Sequence, residues 1–221
     1  MNIKKIKNLY KKYLVPVHIR RHMAKVAAVA YYIGGKIEKN SRRTKINLKL
    51  LKYASMLHDL VKICEVDLSE AGYCEKGIPK KTWRTWHLLI KKYKDMGHID
   101  AAFQILVHEG ENLVAEIIKK HKYDAVIAAD PREKLNTIEE KILYYADKRV
   151  LHDNIVPVCE RLKDGRIRYL NTKRISAREK LIEKAVLNLE KELCALAKID
   201  PNEINEENPG LSALFHKFLR L

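Results

Sequence analysis

The spacing of apolar residues along the chain predicts an all-α fold. In most segments apolar side chains recur every three or four positions, which is the pattern of a helix that buries one face. No segment alternates apolar and polar residues over the length of a strand. Helices are expected at about residues 17–39, 48–63, 80–94, 98–106, 111–120, 137–151 and 176–198.

Two capping boxes mark the starts of the last two predicted helices. Thr137 and Ser176 can each accept an unpaired backbone N–H, and a glutamate three residues later, Glu140 or Glu179, can reach back. Between the helices, residues 65–81 are rich in turn-forming residues and predict a loop. Asp164-Gly165 predicts a turn, around which a small hairpin is compatible with the pattern but not required.

The length and composition favour one domain with an appendage. The chain has 221 residues, of which 47% are hydrophobic and 33% charged, which suffices for one core of ordinary size. We assign residues 1–163 to the main domain and residues 164–221 to a C-terminal extension with an additional helix. That helix, over about 176–198, can pack on its own domain or on a second copy, so a homo-oligomer is compatible with the sequence.

A strong positive charge, concentrated early in the chain, points to phosphate-bearing partners. The formal net charge is +16, and within residues 1–52 fifteen Lys and Arg stand against one acidic residue, Glu38. Such a field attracts anionic small molecules or nucleic acid, although a lysine-rich solvated surface without a specific partner gives the same composition. The chain has only three Phe and two Trp on which nucleic-acid bases could stack, but its eleven Tyr keep a base-stacking surface possible.

The expected location is the reduced cytoplasm. The four cysteines are scattered and form no CxxC pair, which argues against a zinc ribbon and a disulfide scaffold. The basic N-terminus lacks the apolar core of a signal peptide, and no apolar run reaches membrane-spanning length.

Six residues with metal-compatible side chains lie in apolar helical surroundings rather than in polar segments. Imidazole nitrogen together with carboxylate oxygen suits divalent Mn, Fe, Co, Ni or Zn. Adjacent residues on a helix point about 100° apart, so a neighbouring His-Asp pair can reach one ion only at a locally adjusted helix or at a helix end. A carboxylate in an apolar helix needs a cation or hydrogen-bond donors. The six residues are His22, His58, Asp59, His98, His121 and Asp147.

Other interpretations remain open for several of these residues. Asp147 can pair with Lys148 or Arg149 at its helix surface instead of with a metal. An exposed position in the first turn of a helix would account for His98, and a favourable place at a helix C-terminus for His121. His18, one turn before His22, is an alternative ligand.

Taken together, the pattern resembles the HD-domain superfamily of metal-dependent phosphohydrolases, whose signature is H…HD…D. The resemblance covers about residues 15–162 and includes the additional histidines of the dinuclear branch, although Leu60-Val61 stands where HDIG-type proteins have Ile-Gly. The matching pieces are His22-x3-Val26-Ala27-x2-Ala30, Leu57-His58-Asp59-x2-Lys62, His98-x3-Ala102-x2-Ile105-Leu106, Ile117-Ile118-x2-His121 and Tyr145-Ala146-Asp147-Lys148-Arg149.

The resemblance implies an HD-domain helical bundle and a role for each residue. One ion would be held by His22, His58, Asp59 and Asp147. Asp59 would bridge to a second ion held by His98 and His121. The resemblance also implies that Asp59 is catalytic and that Lys62 contacts a substrate phosphate or the developing charge. Weaker candidates for phosphate contact are Arg21, Lys148 and Arg149.

The function expected from this resemblance is hydrolysis of a phosphate ester or anhydride in a nucleotide-like substrate by metal-activated water. The cofactor would be one or two divalent transition ions, and the partner a phosphate-bearing small molecule, with RNA as a further possibility. One alternative is a phosphodiesterase that acts on RNA ends or cyclic nucleotides, which the basic N-terminal third favours. Another is a non-catalytic module on an HD fold that binds nucleic acid or nucleotides.

Overall fold

The computed structural model describes residues 1–41, 43–68, 77–170 and 175–220, and within them the fold is helical, as predicted. Three short 3₁₀ segments, Lys62–Glu65, Ala125–Ile127 and Pro201–Glu203, lie between the helices. The α-helices are α1 (Ile3–Lys12), α2 (Val17–Asn40), α3 (Leu48–Ser55), α4 (Lys80–Tyr93), α5 (His98–His108), α6 (Asn112–Lys119), α7 (Ile138–Asp147), α8 (Val158–Leu170), α9 (Ala177–Ala197) and α10 (Pro209–Leu219). A two-stranded antiparallel hairpin joins β1 (Val150–Leu151) to β2 (Asn154–Ile155).

Helix α2 is the centre of the bundle. It contacts α3, α7, α9 and α10, and half of its 24 residues are buried. Small residues let neighbouring helices approach closely: a Cβ added to Gly34 would lie 2.8 Å from Leu48 Cδ2 and 3.1 Å from Leu51 Cδ2. The helix continues through Gly34 and Gly35 because this close packing of α2 on α3 compensates their low helix propensity. The tight contact fixes α3, and with it the segment that follows.

The predicted helix over 48–63 was wrong in its second half, because α3 ends at Ser55. The Ser55 hydroxyl bonds back to the Leu51 carbonyl at 2.8 Å, a contact that competes with the helical pattern. Beyond it, the backbone makes tighter bonds three residues apart, from Leu60 N to Leu57 O and from Lys62 N to Asp59 O. The His58-Asp59 pair therefore lies in consecutive turns after a helix end, where adjacent side chains can face one place.

Helix α7 also ends earlier than predicted. Its capping box forms as expected, with Thr137 and Glu140 bonded reciprocally, but Asp147 is its last residue rather than a central one. The chain then reverses through the β1–β2 hairpin, whose turn holds His152 at φ 56, in the left-handed region. The turn predicted at Asp164-Gly165 was wrong, since both residues lie inside α8.

The C-terminal helices share the core of the preceding bundle. Helix α9 opens with the predicted capping box at Ser176 and contacts α2 and α7, and α10 packs on α2. The proposed division after residue 163 falls within α8 and stays a prediction. Within the described ranges, the helices offer no segment long and apolar enough to cross a membrane.

Candidate metal centre

Five separate elements bring the six predicted residues together. His22 lies on α2, the His58-Asp59 pair in the turns after α3, and Asp147 at the last position of α7. His98 is the first residue of α5, and His121 follows the end of α6. None of these side chains is exposed; those of His58, His98, His121 and Asp147 belong to the buried polar groups.

One cluster forms around Oδ2 of Asp59. His22 Nε2 lies 3.8 Å from this oxygen and His58 Nε2 lies 3.7 Å from it. Asp147 Oδ1 faces the same two imidazoles, 3.2 Å from His22 Nε2 and 3.6 Å from His58 Nε2. Two imidazole nitrogens and two carboxylates therefore converge on one point.

A second cluster forms around the other oxygen of Asp59. Oδ1 lies 3.0 Å from His98 Nε2 and 3.8 Å from His121 Nε2. The carboxylate of Asp59 thus stands between two pairs of imidazoles and offers a different oxygen to each. A single carboxylate in this position can bridge two ions.

Four hydrogen bonds orient the imidazoles so that each Nε2 faces the centre. His58 Nδ1 donates to the Ser55 carbonyl at 2.8 Å, and His121 Nδ1 to the Ile118 carbonyl at 2.6 Å. His22 Nδ1 donates to the carbonyl of His152 at 2.5 Å, and His98 Nδ1 lies 2.7 Å from Glu65 Oε1. Such bonds set the tautomer of a histidine and raise its basicity as a ligand.

Two observations indicate that these residues are suited to bind a metal ion. His58 Nε2 and His121 Nε2 are buried and have no hydrogen-bond partner, which is unusual for polar atoms in a folded protein unless an ion binds there. Donor atoms that share an ion lie about 2.0–2.2 Å from it, so no two of them can be more than about 4.4 Å apart. Every distance given above meets this limit. The groups His22–His58–Asp59 and Asp59–His98–His121 can each hold an ion.

The electrostatics of the centre keep its two carboxylates and His121 in the form that binds a metal. Burial alone would raise the pKa of Asp59, but His58, His121 and His98 hold it well below its usual range. For Asp147, Lys148 and the imidazoles of His22 and His58 likewise outweigh burial and lower the pKa. Burial lowers the pKa of His121 to about 4. At neutral pH both carboxylates are therefore ionised and His121 carries no charge.

Glu65 contacts His98 and Lys62 and was not among the site residues predicted from the sequence. Its Oε1 accepts from the backbone N–H of His98 at 2.7 Å and contacts the imidazole of the same residue, while its Oε2 accepts from Lys62 Nζ at 2.9 Å. Gly97, at φ 79, lets the chain turn next to this carboxylate. Sequence analysis placed position 65 at the start of a loop, where a solvated glutamate gives no signal.

We expect Glu65→Gln to weaken binding at the His98–His121 side of the centre by about 10–100-fold, since a charged partner of a ligating histidine typically contributes that much. Metal-competition titration with a chromophoric chelator measures the affinity of each ion. Glu116→Gln is the matched control, because Glu116 is exposed on α6. Equal affinities at both positions in Glu65→Gln and wild type would contradict the orienting role.

The four cationic candidates for phosphate contact occupy different places. Lys62 lies at the centre, with Nζ 3.2 Å from His98 Nδ1. Lys148 is buried, and its Nζ lies 2.7 Å from Asp147 Oδ2. Arg21 forms an ion pair of 2.6 Å with Asp153 in the hairpin turn. These three remain candidates for phosphate contact, with Lys62 the nearest to the imidazoles of the second cluster.

Arg149 points away from the metal centre into the C-terminal part of the fold. Its guanidinium donates to the carbonyls of Val156, Pro201 and Ile204, to the Tyr145 hydroxyl and to the Glu190 carboxylate. The residue is 5% exposed. This arrangement favours a structural role and disfavours contact with a substrate phosphate.

Comparison with known proteins identifies the family. The HD domain family model matches residues 19–150, more than half of the chain, and this range contains all six residues of the centre. Comparisons with curated proteins and with solved structures give no match. Since the family match covers more than half of the chain and every residue of both clusters, the chain belongs to the HD domain family.

Proposed function

We propose that this protein is a metal-dependent phosphohydrolase that cleaves a phosphate ester or anhydride in a nucleotide-like substrate. The observation that carries the proposal is the position of Asp59, whose two oxygens face separate imidazole pairs. The unpaired Nε2 atoms of His58 and His121 support it, because they are costly to bury without an ion. Family membership supports it too, since HD domains bind divalent metals and act on phosphate-bearing substrates.

The donor set favours a borderline transition ion. It combines four imidazoles with two carboxylates and no thiolate, which suits Mn, Fe, Co, Ni or Zn. When bound, a pair of such ions supplies an activated water near neutral pH and polarises a phosphate oxygen. His22, His58, Asp59 and Asp147 would hold one ion, and Asp59, His98 and His121 the other.

The protein's own groups prepare the centre for hydrolysis. In the reaction a water oxygen forms a bond to phosphorus, the bond to the leaving oxygen breaks, and the leaving oxygen takes up a proton. Asp59 and Asp147 stay ionised and hold negative charge where the ions bind. Lys62, beside His98 and tied to Glu65, is placed to contact a phosphate oxygen as charge develops on it.

The test is hydrolysis by protein that has been stripped with a chelator and reloaded with one metal at a time. The substrates are p-nitrophenyl phosphate, bis(p-nitrophenyl) phosphate, nucleoside mono-, di- and triphosphates, 2′,3′-cyclic nucleotides and a short RNA. We expect the stripped protein to be inactive and at least one of Mn, Fe or Co to restore turnover. His58→Ala is expected to lower turnover by at least about 100-fold, because a ligand contributes no less than the groups that orient it.

A control variant purified in the same way shows whether the measured hydrolysis comes from a contaminating phosphatase. Asp130→Asn changes a surface residue whose side chain is 41% exposed and pairs with neighbouring Arg132, and it should keep wild-type activity. Equal activity in His58→Ala and wild type would show that the hydrolysis comes from another protein. Preference for cyclic nucleotides or RNA would favour the phosphodiesterase alternative. Metal binding without any turnover would favour the binding module.

A further inference from the structure

A large cavity opens between α1, the start of α2, α4 and α10. Its volume is ≈ 1010 Å³, at the upper end of the range for small-molecule pockets. Buried side chains form an apolar floor, with two aromatic rings among them. The floor consists of Val15, Met56, Trp86 and Phe218.

The rim of this cavity is basic. Lys7 and Lys11, one turn apart on α1, and Arg20 on α2 all line it and are exposed. None of the described residues that line the cavity is acidic. A concave site with apolar walls and one sign of charge focuses its field on ligands of the opposite sign.

The distribution of charge on α1 separates this rim from the lysine-rich surface in general. On another side of the helix, Lys5 lies 3.0 Å from Glu111 and Lys12 lies 2.7 Å from Glu109, so those cations are neutralised. Lys7 and Lys11 instead share the cavity with Arg20, and no carboxylate is found among its lining residues in the part of the chain that the structure describes. The helix therefore directs its uncompensated charge into the cavity.

The cavity reaches the neighbourhood of the metal centre. His18 and Arg21 line it, and His18 lies one turn before His22 on the same face of α2. Met56 lines it from the segment that leads to His58, and its carbonyl accepts from the Tyr10 hydroxyl. None of the six residues of the centre is among the described residues that line the cavity, but His18 and Met56 place the cavity one turn of α2 and two residues of chain away from two of them, so a strand longer than one nucleotide can extend from the centre toward it.

We propose that this cavity binds a single-stranded nucleic-acid segment, so that the substrate of the proposed hydrolase is an oligonucleotide end rather than a free mononucleotide. That the bound strand is a substrate rests on the proposed function. That the cavity binds a strand rests on the shape and charge of the cavity alone. A nucleoside monophosphate has one phosphate, which the metal centre would take, so that Lys7, Lys11 and Arg20 would have no anion to pair with. A strand repeats an apolar base and a phosphate, which matches an apolar floor with a basic rim.

The test is fluorescence anisotropy with a fluorescein-labelled eight-nucleotide uridine RNA in the presence of a chelator, which prevents turnover. The variant Lys7→Ala/Lys11→Ala/Arg20→Ala removes the rim charges. Its control, Lys180→Ala/Lys184→Ala/Lys191→Ala, removes the same charge from the exposed side of α9. Thermal melts verify that both variants are folded.

We expect the rim variant to bind at least tenfold more weakly than wild type and the control variant to bind as wild type does. The slope of log K against log salt should become shallower by about 2 in the rim variant, since each lost single-strand phosphate contact contributes about 0.7. Equal losses in both variants would show general charge attraction and overturn the proposal. So would competition by uridine triphosphate or inorganic tripolyphosphate as effective as that of unlabelled RNA, which would point to small polyphosphates.

The binding test and the hydrolysis test fail separately. RNA binding that depends on the rim, combined with no turnover by metal-loaded protein, would overturn the proposed hydrolase and leave the cavity assignment. Metal-dependent hydrolysis of mononucleotides without rim-dependent RNA binding would overturn the cavity assignment and leave the hydrolase.

Discussion

Asp59→Ala is expected to remove metal from both positions of the centre and to lower phosphohydrolysis by at least about 100-fold. The physical reason is that Asp59 is shared: one oxygen faces His22 and His58, and the other faces His98 and His121. No other carboxylate in the part of the chain that the structure describes lies between both pairs.

Elemental analysis of protein reloaded with Mn, Fe or Co measures the ratio of metal to chain. We expect about two ions per chain in wild type and close to none in Asp59→Ala. Asp147→Ala should keep about one, because the imidazoles that Asp147 faces are those of His22 and His58, which belong to one cluster. The loss of both ions in Asp59→Ala but of only one in Asp147→Ala would distinguish a carboxylate shared by two ions from one that binds a single ion.

Asp130→Asn is the control for removing a surface carboxylate outside both clusters, and it should bind metal as wild type does. A ratio near one in wild type would restrict the ions to one cluster and remove His98 and His121 from the ligand set. Full metal content together with full activity in Asp59→Ala would overturn the assignment of the centre.

The six residues of the centre could be found from sequence because of the cost of burying them. Histidine and aspartate within apolar helical segments need partners, so each stands out from its neighbours, as Asp147 does among Tyr144, Tyr145 and Ala146. Their order along the chain then matched one family pattern. The helix periodicity likewise predicted α2, α4 and α9 to within about two residues of their observed ends.

The groups that orient the centre could not be found in this way. Three of the four are backbone carbonyls, of Ser55, Ile118 and His152, and any residue type supplies a carbonyl. The end of α3 at Ser55 was also invisible, since the apolar spacing continues to Ile63 while the backbone changes to tighter turns. Tertiary packing, rather than local helix propensity, determines both where α3 ends and which carbonyls face the imidazoles.

The role of the Arg149 side chain could not be predicted from the sequence either. In sequence it adjoins Lys148 and the metal-compatible Asp147, which favoured a phosphate-binding role. Its partners Glu190, Pro201 and Ile204 are more than forty positions away, and only the fold brings them together. The guanidinium thereby ties the residues just after α7, whose last residue is Asp147, to the C-terminal part of the fold.

Arg149→Met is therefore expected to lower the free energy of unfolding by about 3–5 kcal/mol, because it leaves Glu190 as a largely buried charge without its partner. For a chain of this size the melting temperature should fall by about 6–20 °C, which a thermal melt followed by circular dichroism measures. Arg178→Met is the control: Arg178 pairs with Asp124 at the surface, and such exposed pairs contribute about 0–1 kcal/mol. Adding Glu190→Leu to Arg149→Met should restore part of the stability, since it removes the unpaired charge. If Arg149→Met melts like the control but loses turnover, the structural role is wrong and contact with the substrate phosphate becomes the better explanation, because only a group that reaches the substrate would then connect Arg149 to catalysis.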